Sequence, residues 1–514
     1  MKIYPDHRAI VLPFRPDIEQ IAPKAKRFEA DGQWWLALPH RLEIVQLLRN
    51  MGIEAPSPIL NYYDWNKGHP FESQKITADL LTVSKRAYVL SEMGVGKTRA
   101  VLYAYDYLRS LGVLTRLLVA APLSTLTTVW ENEIFENFPH LVTGVLYGDR
   151  KKRTRVLAQP ADVYIINHDG VQVLHKELFE RSDINGLVVD ELAVYRNSRS
   201  ARWRFMRPIV ERSEYAWGLT GAPTPNAPTD AYGQVKLLTP RRVGFTFKSF
   251  RDATMRQVTT FKWVPRKDAL DHVHTAMQPA VRFTREECFD LPETTYSTRA
   301  VALGAATQAA YKKMLNEFQV QIRRKEITAA NEGVKLGKLL QLSAGFAYDS
   351  QGQGQYIGGV ERIKEIVACI EQTEHKVIIF AGYRYLVELL GGVLGKLYTV
   401  GMVHGDVPKG QRDQIFMAFQ KSSAPRLLVA HPGTMAHGLT LTEAATIIWA
   451  SPLPSLEIYE QANARITRSG QKNKTHIIHI QATDAEKQVY DRLRRKAKLQ
   501  GALLELFEED GSKL

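Results

Sequence analysis

Uninterrupted apolar runs recur along this chain. They include Ala87-Tyr88-Val89-Leu90, Leu117-Leu118-Val119-Ala120, Val163-Tyr164-Ile165-Ile166, Leu187-Val188-Val189, Val377-Ile378-Ile379-Phe380, Leu427-Leu428-Val429-Ala430 and Ile447-Ile448-Trp449. A strand with one wet face alternates apolar and polar residues, whereas an unbroken run suits a parallel sheet covered on both faces. Helical patterns lie between many of the runs, which predicts α/β units. The runs form two groups, 87–219 and 376–480. A charged, helix-prone stretch separates them, from Ala309-Ala310-Tyr311-Lys312-Lys313-Met314 through Leu339-Leu340-Gln341. The expected fold is α/β, with two tandem parallel-sheet lobes.

The first residues follow another pattern. Lys26 to Leu36 has strand character on both sides of Asp31-Gly32, a hairpin turn signal, and His40 to Leu48 reads as an amphipathic helix. This predicts a small, separate α+β module. Pro56, Pro58 and Asn66-Lys67-Gly68-His69-Pro70 then supply a linker. The expected domains are 1–65, 66–285 and 286–505, the last with a helical insertion near 300–345.

Charge adds a partner class. Lys and Arg outnumber Asp and Glu by 68 to 54, a net +14, which favours a polyanion because each phosphate contact releases counterions. The basic clusters Lys24/Lys26/Arg27, Arg150 to Arg155, Arg323-Arg324-Lys325 and Arg494-Arg495-Lys496 are each, alone, ordinary solvated faces. The two cysteines, Cys288 and Cys369, make neither a disulfide framework nor a zinc site. No apolar stretch approaches the ~18 residues of a membrane span, and the N-terminus lacks a signal-peptide core. The expected location is intracellular.

The candidate chemistry starts at Glu92-Met93-Gly94-Val95-Gly96-Lys97-Thr98, between an apolar run and a helix-like stretch. Glycines let backbone N–H groups converge on phosphate oxygens, and the helix N-terminus adds positive potential. Lys97 reaches the β/γ-phosphates and Thr98 can ligate Mg²⁺. Ser91 stands where the full motif has its first glycine. Alone, the loop also suits a helix cap in another α/β protein. Downstream, the run ending in Asp190-Glu191 puts carboxylates at the C-terminal edge of a sheet. There Asp190 can hold Mg²⁺ and Glu191 can orient or deprotonate water. At Trp217-Gly218-Leu219-Thr220-Gly221-Ala222-Pro223 a strand breaks into a loop suited to relaying a shift at the γ-phosphate. In Gln461-Ala462-Asn463-Ala464-Arg465-Ile466-Thr467-Arg468-Ser469-Gly470-Gln471, a helix would place Arg465 and Arg468 on one face, ready to neutralise a γ-phosphoryl group.

In order and spacing this series resembles superfamily-two helicase/translocases of the Swi/Snf type, with Phe71-Glu72-Ser73-Gln74 as a Q motif. Ala121 to Leu126 with Trp130 matches motif Ia, Asp190-Glu191 motif II and Leu219 to Pro223 motif III. Val377 to Tyr383 matches motif IV, His437-Gly438-Leu439-Thr440-Leu441-Thr442 motif V, and Gln461 to Gln471 motif VI. The match covers roughly residues 66–500 and is most similar to annealing-helicase-like and phage-encoded members. The resemblance implies RecA-like lobes, ATP and Mg²⁺ as cofactors, and Gln74 reading adenine. It also implies that Pro122, Ser124, Thr125, Thr220, Gly438 and Thr440 contact nucleic acid, and that Gln461, Arg465 and Arg468 close over the triphosphate. The module with Phe28, Asp31-Gly32 and Trp34-Trp35 resembles the HARP-type DNA-binding module. Ala193 and Thr467 replace histidines common in relatives, which leaves open how hydrolysis couples to the polymer. The expected activity is ATP-driven movement of a monomer on duplex, forked or branched DNA, in a host cytoplasm if phage-encoded. A strand-separating DNA or RNA helicase, and a non-catalytic DNA-binding scaffold, are the competing readings.

Overall fold

The computed structural model describes the chain apart from Pro23, Asn66, Lys67, Phe245, Thr260, Phe261, 324–328, 436–439, Ser469 and 512–514, and apart from the side chains of 318–332, 506 and 508–514. Two compact units appear, residues 1–288 with 500–514, and residues 289–499.

The first unit begins with an antiparallel sheet of order β1-β2-β4-β3, formed by β1 (Lys2–Tyr4), β2 (Ala9–Pro13), β3 (Lys26–Ala30) and β4 (Gln33–Pro39). Asp31 and Gly32 both take positive φ at the predicted hairpin, and the helix Leu42–Asn50 follows. This module has no core of its own. Ile10, Leu36, Val45 and Leu48 belong to one cluster with Leu81, Tyr105, Trp130 and Trp217. The predicted linker is likewise packed. Arg49 pairs with Asp79 at 2.7 Å, the Ser57 N–H donates to the same carboxylate, and the Ser57 and Thr82 hydroxyls meet at 2.7 Å. The prolines signal irregular backbone, but the buried ion pair holds it against the lobe. Asn66 and Lys67 of that stretch lie outside the described residues.

The main sheet contains β5 (Arg86–Val89), β6 (Arg116–Ala121), β7 (Thr143–Leu146), β8 (Val163–Asn167), β9 (Ile184–Asp190), β10 (Tyr215–Leu219) and, following the small ribbon of β11 (Met255–Thr259) and β12 (Lys262–Pro265), β13 (Ala280–Val281). Its order is β13-β5-β10-β9-β6-β8-β7 and every pairing is parallel. The apolar runs are buried because hydrophobic clusters cover both faces. Leu503, Leu504 and Phe507 add to one of them.

The second unit holds another all-parallel sheet, of order β14-β21-β20-β17-β19-β18. Its strands are β14 (Thr294–Ala300), β17 (Lys376–Phe380), β18 (Val400–Val403), β19 (Leu427–Ala430), β20 (Ala444–Trp449) and β21 (Thr475–Gln481), and β15 (Phe346–Tyr348) pairs with β16 (Gly354–Tyr356) apart from it. The helix-prone stretch forms the helices Ala305–Arg323 and Ala329–Ser343. Arg324 and Lys325 of the basic cluster lie outside the described residues.

Candidate functional site

In the first sheet, β10 lies between β5 and β9, and β6 borders β9. Leu219 is in register with Val89 on one side and Asp190 on the other. The loops after β5, β10, β9 and β6 therefore leave one edge of the sheet side by side, the edge where parallel α/β sheets bind ligands. These are the loops of Gly94–Thr98, Thr220–Pro223, Asp190–Glu191 and Pro122–Thr125. Chain topology thus gathers residues about a hundred positions apart.

The loop after β5 ends at Gly96, which caps the helix Lys97–Ser110 with φ +83°. Side-chain-bearing residues rarely adopt that conformation, and a Cβ there would also meet Gln74 Nε2 at 2.1 Å. Gln74 uses both ends of its amide inside the protein. Its Oε1 accepts from Phe71 N–H (3.1 Å) and its Nε2 donates to Gly96 O (3.3 Å), tying the helix Glu72–Val83 to the loop. The Lys97 ammonium donates to Ser91 O (2.8 Å) and Glu92 O (2.9 Å), so it is folded onto its own loop, with Thr98 beside it at the helix start. Ser91 has a structural use that glycine lacks, because its Oγ accepts from Phe283 N–H at 3.0 Å, next to β13.

Asp190 ends β9 in a half-buried position. Its Oδ2 accepts from the Trp130 indole N–H (3.0 Å) and its Oδ1 from Glu191 N–H (3.1 Å). Desolvation raises its pKa. The Trp130 hydrogen bond and the Lys97 charge oppose that rise, so the phosphate-loop cation acts on this carboxylate. Glu191 sits at φ +52°, ψ +55°, a left-handed conformation that is strained for a glutamate. Thr220 is buried, and its Oγ1 accepts from Ala222 N–H at 3.2 Å. A Cβ on Gly221 would lie 3.5 Å from Ser91 O, so the loop after β10 rests on the phosphate loop. Pro122 O accepts from both the N–H (3.0 Å) and the hydroxyl (2.9 Å) of Thr125, which is buried, while Ser124 is half-exposed.

The donor set fits a magnesium ion that keeps waters and takes phosphate oxygens. It offers one hydroxyl, Thr98, and one desolvated carboxylate, Asp190. Among the described residues no three His, Cys, Asp or Glu side chains gather into a metal cage.

Within the second unit, the helix Leu456–Asn463 stops before either arginine. Arg465 N–H donates to Ala462 O, three residues back, which tightens the last turn, and the backbone then turns out toward Gly470 at φ +93°. The shared helix face expected for Arg465 and Arg468 is therefore replaced by consecutive turns. Arg465 is only 1% exposed, while half-buried Arg468 donates Nε–H to Ala464 O at 2.9 Å. Leu441 N–H donates to Arg465 O at 3.0 Å, joining motifs V and VI. Gln461 is 7% exposed, and its buried Nε2 has no hydrogen-bond partner among the described residues. Thr440 is exposed, whereas Gly438, with His437 and Leu439, lies outside the described residues.

Three features escaped sequence reasoning. Glu92 is held by Arg285 (Nε to Oε2, 2.9 Å) and approached by Arg282 at 3.5 Å, and nothing local signals a contact nearly two hundred positions away. Trp130 is part of a recognised motif, but its bond to Asp190 is visible only in three dimensions. The strain at Glu191 has no side-chain signal at all.

A family model of the SNF2-related domain matches residues 75–347, and one of the helicase conserved C-terminal domain matches residues 359–470. Protein p41 of Acyrthosiphon pisum secondary endosymbiont phage 1 is 26% identical over 463 residues, 85% of this chain and 98% of that protein. The DNA annealing helicase and endonuclease ZRANB3 of Bos taurus is 25% identical over 472 residues, 86% of this chain but 42% of that protein. The chain thus spans nearly all of the phage protein and less than half of the annealing helicase. A solved Sulfolobus solfataricus SWI2/SNF2 ATPase core in complex with dsDNA is 20% identical, with coverage of 86% of this chain and 95% of that one and a TM-score of 0.41.

Proposed function

The chain belongs to the SNF2-related family with a helicase C-terminal domain, and from that premise we propose that it is a DNA-dependent ATPase that moves along duplex, forked or branched DNA as a monomer. The observation that carries the reading is the alignment of four loops on one sheet edge. It sets a lysine-bearing phosphate loop beside an Asp-Glu pair, with a backbone-contacting turn next in line.

ATP binding draws the Lys97 ammonium from the Ser91 and Glu92 carbonyls to the β/γ-phosphates. Gln74 releases Gly96 and reads the adenine edge. Thr98 and Asp190 hold magnesium, which supplies charge neutralisation at the phosphates when bound. Glu191 orients water and takes its proton. Arg465 and Arg468 neutralise charge on the leaving phosphoryl group, and Gln461, with its unused buried amide, joins them. Pro122, Ser124, Thr125, Thr220, Gly438 and Thr440 grip the sugar-phosphate backbone, which positions the protein and carries little base specificity. The N-terminal module adds a second contact. Phe28 and Trp34 are 38% and 50% exposed, and the Arg27 guanidinium lies 4.8 Å from the Trp34 ring centroid. Such a surface suits stacking and phosphate contact together.

The test is steady-state ATPase activity with duplex, single-stranded, forked and four-way DNA and with RNA, each across a salt series. Stimulation by duplex or branched DNA that falls steeply with salt is expected. Turnover indifferent to every polymer would overturn the DNA-dependent reading, and stimulation by RNA alone would redirect it. Among the described residues no helix is long and apolar enough to cross a membrane.

A further inference from the structure

Between the Pro122–Thr125 turn and the helix Asn132–Asn137, the chain winds as a π-helix, Leu126–Glu131. The Asn132 N–H reaches back five residues to Thr127 O. Such windings are rare, poorer in geometry than the α-helix, and concentrated at functional positions. Trp130 sits in this segment, 0% exposed, and its indole N–H is donated to Asp190 Oδ2 at 3.0 Å. The segment is also tied to the turn before it, since the Thr128 hydroxyl donates to Ser124 O at 2.6 Å and Thr125 is doubly bonded to Pro122 O. One surface of that turn faces water, where Leu123 is exposed. A single short piece of backbone therefore runs from an exposed turn to the carboxylate of the phosphate-loop site. Just after Asp190-Glu191 stands buried Ala193, whose side chain offers no polar link.

We propose that Trp130 is a positioning residue that couples polymer binding on the Pro122–Thr125 turn to the Asp190 carboxylate. Backbone contact at the turn biases Leu126–Glu131 between the five-residue and four-residue registers. A register change rotates every side chain that follows. The ring need move little, because a hydrogen bond of 3.0 Å is lost within a shift of about 0.5–1 Å. With the indole N–H in place, Oδ2 of Asp190 is fixed in direction; with it withdrawn, the carboxylate turns. Two sites joined by one two-state element are coupled reciprocally. The inference rests on the DNA-dependent reading above.

The experiment measures the affinity of the full chain for a fluorescent ATP analogue with magnesium, with and without saturating duplex DNA. It also measures affinity for that duplex, with and without a non-hydrolysable ATP analogue. In the unsubstituted chain each ligand is expected to tighten the other by the same factor. In Trp130→Phe, which keeps an aromatic ring and removes the donor, each affinity measured alone stays within about threefold while both coupling factors fall toward one. Deletion of exposed Thr127, which removes the residue that the wide register accommodates, has the same expected effect and serves if Trp130→Phe does not fold. Coupling at the unsubstituted value in a folded Trp130→Phe or deletion chain would overturn the proposal. Absence of coupling and of DNA-stimulated turnover in the unsubstituted chain would overturn the DNA-dependent reading instead.

Discussion

Replacing Glu191 by alanine or by glycine removes the same carboxylate and differs only in what the backbone tolerates. At φ +52°, ψ +55°, a residue with a Cβ carries about 1–2 kcal/mol of left-handed strain. Glycine has no such strain but loses about 0.5–1 kcal/mol more backbone entropy on folding. The difference leaves Glu191→Gly more stable than Glu191→Ala by about 0.5–1 kcal/mol, the reverse of the order at an ordinary helical or strand position. For a unit of this size that is roughly 1–4 °C in the unfolding midpoint. Calorimetry of both variants, with urea unfolding as a check on the slope, reads the sign directly. Both should hydrolyse ATP at least about a hundredfold more slowly than the unsubstituted chain, the loss of a general base. An alanine variant as stable as the glycine variant would show that the strain is not present in the protein. Near-normal turnover by either would remove Glu191 from the chemistry.

Lys97→Ala is expected to abolish detectable ATP binding, whereas Arg468→Ala keeps binding and loses about 10³-fold or more in turnover. Nucleotide titration beside single-turnover hydrolysis separates the two. Arg362 and Glu486 form a buried ion pair at 2.9 Å, 3% and 0% exposed, with further Arg362 donations to Ser343 O and Ala450 O. Arg362→Met should therefore destabilise the second unit by about 3–5 kcal/mol, and adding Glu486→Leu should restore much of it in urea unfolding. His479 is buried between Tyr459 and Tyr490, and desolvation lowers its pKa to about 4. A histidine kept neutral by the fold contributes stability above pH 6.5 that is lost as pH falls from 6.5 toward 4, on the order of 3 kcal/mol. His479→Gln should flatten the unfolding free energy across that window.

Much of the architecture was legible because the physics behind it is local. Unbroken apolar runs are buried on both faces of a parallel strand wherever they stand, so both lobes followed from the pattern. The Asp31-Gly32 hairpin followed from the backbone freedom of its turn. The stretch around Pro56 and Pro58 did not follow. Proline and glycine report irregular backbone, yet the Arg49–Asp79 pair that packs it joins residues thirty apart. The module at residues 1–65 misled in the same way, since amphipathic elements declare an apolar face without saying which surface covers it. The arginine turns failed for another reason. Helix propensity across 461–468 is ample, and the early stop comes from backbone bonds such as Leu441 N–H to Arg465 O.

Residue identity alone determined that the chain holds a phosphate loop, an acidic pair and a paired-arginine motif, because those chemistries depend on side-chain type and short spacing. Tertiary structure alone decided that Trp130 bonds Asp190, that Ser91 anchors the Phe283 backbone, and that Arg285 grips Glu92. A hydrogen bond acts over about 3 Å of space and is indifferent to separation along the chain, so these contacts exist only once the parallel strands have set their order.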